Sequence, residues 1–268
     1  MRRALVGLLA VVSLLLGLAA PASARTTLPR SMASTGDSIT RAFDASSGCF
    51  LVDCPQYSWS TGTSTAVDSH YRRILASNKA IAKHDYNDAR SGAKMTNLYG
   101  QLDTAATQRV EYATVLMGAN DLCTSSVSTM TPVSTFTGQF GSALANYFAK
   151  NPNSKVFVSS IPNLYQLWSI FRYDLTAQTT WAAFGICQSM LSLTNTETDR
   201  QQVVTREQAF NAALATVCAA YQNCRWDNDA TYNTAFTTSD VSTVDYFHPS
   251  IAGQNKLASV TWAASYWG

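Results

Sequence analysis

Short apolar or β-branched runs alternate along the chain with longer segments in which apolar residues recur at helical spacing. The predicted strands are Ser31–Thr35, His84–Ala89, Tyr112–Gly118, Lys155–Ile161 and a short one at Cys224–Asp227. The predicted helices are Val67–Ser77, Met95–Ala106, Pro132–Lys150, Thr205–Tyr221 and Pro249–Tyr266. Strands that alternate with helices are typical of β-α-β units, so the pattern predicts an α/β protein with a parallel sheet.

For two of these helices the sequence predicts more than their extent: the apolar face of one and the start of the other. The apolar face of Thr205–Tyr221 is predicted at Ala209, Ala212, Ala213, Thr216, Val217 and Ala220. Pro249 suits the first turn of the last helix, which would place His248 at the start of that helix. The segments Asp44–Thr65 and Tyr165–Asp199 have neither pattern throughout, and we expect them to be long insertions on the scaffold.

The N-terminus has the composition of a secretory signal peptide. Arg2 and Arg3 precede a largely apolar run over residues 4–20, and Ala22, Ser23 and Ala24 follow it as a small-residue cleavage site. The alternative, a membrane anchor, needs about 20 apolar residues and does not explain that site. We therefore expect residues 1–24 to be a signal peptide, residues 25–268 to form one domain, and the protein to be secreted and extracellular.

The charge balance gives no reason to expect a nucleic acid partner. The chain has 19 lysines and arginines against 17 aspartates and glutamates. Loss of Arg2 and Arg3 with the signal peptide would leave the remaining chain formally neutral. Proteins that bind nucleic acid usually carry a strongly basic patch, so we exclude that class and expect a monomer that binds small molecules or lipids.

Six cysteines follow the signal peptide: Cys49, Cys54, Cys123, Cys187, Cys218 and Cys224. An even number in a secreted chain predicts disulfides. A zinc site, the alternative, requires C-x-x-C or mixed cysteine and histidine clusters, which the sequence lacks. The short separations predict the pairs Cys49–Cys54 and Cys218–Cys224, which leaves Cys123 to pair with Cys187.

The first candidate for chemistry is Ser38, in the motif Gly36-Asp37-Ser38 directly after the first predicted strand. A serine hydroxyl is a weak nucleophile, so it must be presented with a base within reach. Gly36 supplies the backbone freedom for a sharp turn. A serine in this position more often caps a helix, and the motif is therefore weak by itself.

A general base is best sought among the three histidines, because histidine titrates near neutral pH. His248 is the candidate, since Asp245 precedes it by three residues and could orient the imidazole as a triad carboxylate does. Asp240 is the alternative acid, but it lies eight residues away. We expect structural roles for His70, within a helix, and His84, at the start of a strand.

Two further strand ends carry candidate hydrogen-bond donors. Asn120 follows the buried strand that ends at Gly118, and its amide could stabilise the oxyanion of a tetrahedral intermediate. Gly92 follows the second strand and could offer its backbone N–H to the same oxyanion. Alone, Asn120 would be interpreted as a helix cap and Gly92 as a turn residue.

Together the four motifs resemble the sequence blocks of the SGNH (GDSL) hydrolase family, in particular its secreted actinobacterial lipase and phospholipase B-like branches. They run from Gly36 to His248, almost the whole of the chain after the signal peptide. The resemblance implies a flavodoxin-like three-layer α/β/α sandwich and no metal or organic cofactor. It also implies a triad of Ser38, Asp245 and His248, with an oxyanion hole formed by Ser38, Gly92 and Asn120. The G-x-S-x-G motif of α/β-hydrolases is absent.

The substrate is predicted from one apolar and aromatic stretch, in which Leu164, Tyr165, Leu167 and Trp168 could form a wall for an acyl chain. The alternative is a small satellite core beneath the insertion. We expect a lipase, phospholipase or esterase that acts on lipid-like carboxylic esters and contacts lipid interfaces transiently. A carbohydrate acetylesterase is the enzymatic alternative, and an extracellular carbohydrate- or lipid-binding module is the non-enzymatic one.

Overall fold

A computed structural model describes residues 27–268. The predicted signal peptide, residues 1–24, lies outside the described residues. No helix within residues 27–268 combines the length and apolar composition that crossing a membrane requires.

Five parallel strands form the centre of the fold, in the order β2-β1-β3-β4-β5. They are β1 Met32–Gly36, β2 Asp85–Asn87, β3 Tyr112–Leu116, β4 Lys155–Val158 and β5 Cys224–Trp226. Each predicted strand is present; β1 has the predicted length, shifted by one residue, and the other four are shorter than the sequence pattern predicts. Because all pairs are parallel, the carboxyl ends of the strands lie at one edge of the sheet, where ligands bind in such folds.

Helices cover both faces of the sheet. They are α1 His70–Ser77, α2 Met95–Thr107, α3 Ala119–Leu122, α4 Val133–Lys150, α5 Leu164–Phe171, α6 Leu175–Phe184, α7 Gln188–Leu191, α8 Glu197–Cys218 and α9 Ile251–Ala264. Ala113 and Val115 pack in the core with α2, α4 and α8, whereas Tyr112 and Leu116 pack in a second core with α1 and α9. This alternation along a strand confirms the predicted three-layer α/β/α sandwich.

The prediction for the helix Thr205–Tyr221 was wrong at its start and on its buried face. The helix begins at Glu197, because Thr196 and Asp199 form a capping box there. Its buried residues are Arg200, Val203, Glu207, Phe210, Asn211, Leu214 and Cys218. Of the predicted face, Ala213 and Val217 are partly buried and pack at the edge of the core, whereas Ala212, Thr216 and Ala220 are exposed. Alanine is compatible with either environment, so the spacing of the many alanines did not locate the buried face.

Pro249 does not lie in the first turn of the last helix, contrary to prediction. It forms an isolated antiparallel bridge with Val241, and α9 begins only after the cap residue Ser250. His248 is therefore in a loop that the bridge fixes before the helix starts. The predicted insertion Tyr165–Asp199 includes most of α5 and all of α6 and α7.

Disulfides join Cys49 to Cys54, Cys123 to Cys187 and Cys218 to Cys224. The first closes part of the segment Asp44–Thr65, which has only short 3₁₀ turns. The second joins the end of α3 to the start of α7. It attaches the three added helices to the loop that follows β3.

The core beneath α1 contains a neutral histidine. His70 is fully buried, and its ring nitrogens lie 2.9 Å from the Tyr112 hydroxyl and 2.9 Å from the Thr261 hydroxyl. Burial lowers the pKa of His70 to about 3, and the Arg73 charge acts in the same direction. His84, by contrast, is exposed immediately before β2.

We expect acid to destabilise the fold through His70. Between about pH 6.5 and pH 3 the unfolded chain binds one proton more than the folded chain, so stability should fall by about 1.4 kcal/mol per pH unit on acidification. The variant His70→Gln should be less stable at neutral pH but should lose this part of the pH dependence. Urea unfolding at several pH values measures it, with the exposed-site variant His84→Gln as control. An unchanged slope in His70→Gln would contradict the assignment.

Candidate active site

Ser38 lies in the turn after β1, in a conformation that depends on Gly36. Gly36 has φ +142°, and a Cβ there would lie 2.2 Å from the carbonyl oxygen of Leu116 on the neighbouring strand. A larger residue would therefore separate β1 from β3. The turn places Ser38 at the carboxyl edge of the sheet with 8% of its surface exposed.

Ser38, His248 and Asp245 form a continuous hydrogen-bonded chain. The Ser38 hydroxyl donates to His248 Nε2 over 2.7 Å, and His248 Nδ1 donates to Asp245 Oδ2. The other oxygen of Asp245 accepts the backbone N–H groups of Phe247 at 2.9 Å and His248 at 3.0 Å. These contacts fix the imidazole so that it can accept the serine proton.

The surroundings favour the ionised form of Asp245. Burial alone raises its pKa, but the hydrogen bond and charge of His248 and the two backbone N–H donors outweigh burial and bring the pKa below its usual value. Asp240, the alternative acid, instead pairs with Lys256 and accepts the Thr237 N–H. The structure thus places Asp245, and not Asp240, against His248.

The predicted oxyanion residues line the cleft at Ser38. This cleft is lined by Ser38, Phe43, Ser91, Gly92, Asn120, Cys123, Gly185, Ile186, Cys187, Phe247 and His248. Asn120 Nδ2 donates one hydrogen to the carbonyl of Ala93 over 3.0 Å, which leaves its second hydrogen for another acceptor. Within residues 27–268 the N–H groups of Ser38 and Gly92 have no partner. Three donors are therefore available at one cleft.

Asp121, next to Asn120, has a different role. Its carboxylate accepts the Met95 N–H at 2.8 Å and the Thr131 hydroxyl at 2.8 Å, which ties α3 to α2 and α4. The Cys123–Cys187 disulfide then brings residues 185–187 to the rim of the cleft. The short helix α3, which carries Asn120, is therefore anchored by the contacts of Asp121 and by this disulfide.

The predicted substrate wall divides into two parts. Leu164 and Leu167 line an apolar cavity that also touches Ile39 and Ala119, the neighbours of Ser38 and Asn120. Tyr165 and Trp168 lie elsewhere, because the Tyr165 hydroxyl donates to Glu197 and the Trp168 ring stacks beneath the guanidinium of Arg200. The stretch forms the helix α5, which points these side chains in different directions.

Sequence reasoning gave no role to two buried aspartates near the triad. Burial raises the pKa of Asp37 to about 7, and the charge of Asp121 adds to this, although the Ile39 N–H and His248 oppose it. Asp44 is 1% exposed and lies beside Asp245 and His248. The position of Asp37 next to Ser38 was a signal that could have been used, but Asp44 lies in a segment without a regular pattern.

Among residues 27–268, one group of three acidic or histidine side chains is close enough to share a cation. It consists of Asp44, Asp245 and His248, with one atom from each within 4.8 Å of the others. Hydrogen bonds to one another and to neighbouring backbone N–H groups account for this arrangement.

Comparison with known families identifies the class of protein to which this site belongs. The model of the GDSL-like lipase/acylhydrolase family matches residues 35–256, which include every residue of the serine–histidine chain. This protein belongs to the GDSL-like lipase/acylhydrolase family, and the general reaction that it supports is the hydrolysis of esters. No curated protein sequence matches the chain significantly.

Solved structures share the fold. TesA is 15% identical, with a TM-score of 0.52 over 87% of this chain and 97% of that one. LAE5, described as an alpha/beta hydrolase enzyme from the metagenome of Lake Arreo, Spain, is 14% identical, with a TM-score of 0.53 over 87% and 94% of the two chains. The acetyl xylan esterase AlAXEase is 13% identical, with a TM-score of 0.51 over 87% and 98%. At these identities the similarity establishes the fold alone.

We expect Asn120→Ala to lower kcat by about 10²–10³ with little change in KM, because an oxyanion donor acts mainly in the transition state. The control is Asp121→Ala, which removes the contacts to Met95 and Thr131 and should mainly lower thermal stability. Steady-state kinetics and melting curves of both variants check this. Equal losses of kcat in the two variants would contradict an oxyanion role for Asn120.

Proposed function

We propose that this protein is a secreted serine hydrolase that cleaves lipid-like carboxylic esters through an acyl-enzyme on Ser38. The observation that carries the proposal is the apolar cavity next to the Ser38–His248–Asp245 chain. A binding module would have no use for that chain of hydrogen bonds. The three disulfides favour an oxidising compartment, as the predicted signal peptide does.

The reaction follows from the contacts at the site. His248 Nε2 takes the Ser38 proton while the serine oxygen attacks the ester carbonyl, and Asp245 stabilises the imidazolium that forms. The N–H groups of Ser38 and Gly92 and the Asn120 amide stabilise the oxyanion. The imidazolium then gives its proton to the leaving alcohol. Water, activated by His248, hydrolyses the acyl-enzyme and releases the acid.

The apolar cavity supports an acyl chain as the group that it binds. It is lined by Ile39, Ala119, Pro162, Asn163, Leu164, Gln166, Leu167, Phe236, Asp240, Val241, Phe247, Pro249 and Leu257. Phe247 lines both this cavity and the cleft at Ser38. An ester bound at Ser38 could place its acyl chain past Phe247 and its alcohol group toward the open cleft.

Exposed apolar side chains near the cleft favour a substrate presented in a lipid aggregate. Phe50, Leu51 and Val52 form the tip of the Cys49–Cys54 loop, each at least half exposed. The Leu51 N–H donates to Asp44, beside the triad. Phe184, 59% exposed, directly precedes residues 185–187 of the cleft wall. Apolar side chains concentrated in this way commonly mark contact surfaces.

The proposal predicts that kcat/KM depends on the length of the substrate's acyl chain and that Leu167 controls this dependence. Each methylene bound in an apolar pocket contributes about 1–3 kcal/mol to discrimination, so kcat/KM on nitrophenyl esters should rise from acetyl to medium-length acyl groups. Leu167→Trp, which fills the cavity, should lower kcat/KM for the octanoyl ester at least tenfold and leave the acetyl ester within threefold.

The matched control is Tyr165→Trp, which adds bulk to the same helix at a position outside the cavity and should keep the wild-type profile. A wild-type preference for the acetyl ester, together with release of acetate from acetylated xylan, would favour a carbohydrate acetylesterase instead. No hydrolysis of any of these esters or of a phospholipid would favour a binding module.

A further inference from the structure

Asp44 is held between the nucleophile turn and the loop that carries His248. The N–H of the preceding Phe43 donates to the Ser38 carbonyl over 3.0 Å. The carbonyl of Asp44 accepts the Ser242 hydroxyl, and the next carbonyl, of Ala45, accepts the Ile251 N–H over 3.1 Å. Its backbone has φ +53°, a conformation that aspartate tolerates better than most residues. The backbone therefore fixes where the Asp44 carboxyl points.

The carboxyl of Asp44 faces the carboxyl of Asp245. One Asp44 oxygen accepts the Leu51 N–H. One oxygen of Asp44 lies within 4.8 Å of an oxygen of Asp245 and of a ring nitrogen of His248. Asp44 and Asp245 are 1% and 5% exposed, so water does not separate their charges. A second carboxyl thus lies beside the acid of the proposed triad.

Two buried carboxyls this close repel each other when both are ionised, so the pKa of one of them is raised. Asp245 has the better anion site, with His248 and two backbone N–H donors. Burial raises the pKa of Asp44, and the charge and hydrogen bond of Asp245 raise it further, although the Leu51 N–H and His248 oppose this. Of the two carboxyls, Asp44 is therefore the one that takes up a proton first.

We propose that Asp44 is a positioning residue, whose protonated carboxyl donates a hydrogen bond to Asp245 and holds it against His248. This inference rests on the proposed role of His248 as the general base. Charge-assisted hydrogen bonds such as this one are short and strong. Asp245 then has a neutral donor in addition to the imidazole, so that its orientation survives the repeated charging and discharging of His248.

Substitutions at Asp44 distinguish whether the site needs a hydrogen-bond donor or a negative charge at this position. Asp44→Asn keeps the shape, the acceptor for the Leu51 N–H and a hydrogen-bond donor toward Asp245, so kcat should stay within threefold of wild type. Asp44→Ala and the larger Asp44→Leu remove the donor and should lower kcat at least tenfold with little change in KM. Loss of activity in Asp44→Asn as large as in Asp44→Ala would overturn the proposal.

A double-mutant cycle with Asp245→Asn distinguishes positioning from a structural role. If Asp44 acts through Asp245, the loss caused by Asp44→Ala should largely disappear in the Asp245→Asn background. Additive losses would overturn the role of Asp44 and leave the triad intact. Wild-type activity in Asp245→Asn would instead overturn the assignment of Asp245 as triad acid, and the present proposal with it.

Carboxyl-carbon NMR of the wild-type protein tests the protonation state without relying on the folding of any apolar variant. The Asp44 signal, assigned with Asp44→Asn, should titrate at higher pH than the Asp245 signal. The reverse order would overturn the proposal.

Discussion

The hydrogen bond between the Ser38 hydroxyl and His248 Nε2 is the interaction on which the rest of this site depends. It joins residues separated by 210 positions, and neither residue can act as proposed without the other. Gly36 allows β1 to lie against β3 and end in the turn that presents Ser38. The bridge between Val241 and Pro249 fixes the loop around His248 before α9 begins. Each of these features serves to bring one serine and one imidazole to hydrogen-bonding distance at the carboxyl edge of the sheet.

Much of this arrangement could be predicted from sequence because it depends on local patterns. The strands follow from short apolar or β-branched runs, and the parallel sheet follows from their alternation with helices. The position of Asp245 relative to His248 could be predicted because a separation of three residues lets one turn bring the side chains together. Ser38, Gly92 and Asn120 could be placed at one cleft because the carboxyl ends of parallel strands share an edge.

The remaining features depend on contacts between distant segments, which single-sequence patterns do not reveal. The buried face of α8 includes Glu207 and Asn211, whose side chains accept the N–H groups of Leu164 and Ile161. Polar residues with a tertiary role of this kind resemble an exposed helix face in the sequence. Asp44 belongs to a segment without periodicity, and its importance follows only from its position beside Asp245. The cavity next to Ser38 likewise combines side chains from several loops and helices.

The most direct test of the account is to identify the residue that becomes acylated. The protein should be mixed with a nitrophenyl ester, quenched in acid during turnover, digested and analysed by mass spectrometry. The account predicts one acyl group per chain, on the peptide that contains Ser38, and no acyl group in the variant Ser38→Ala, which should also be inactive. Acylation of another residue, or turnover by Ser38→Ala at a tenth of the wild-type rate or more, would contradict it.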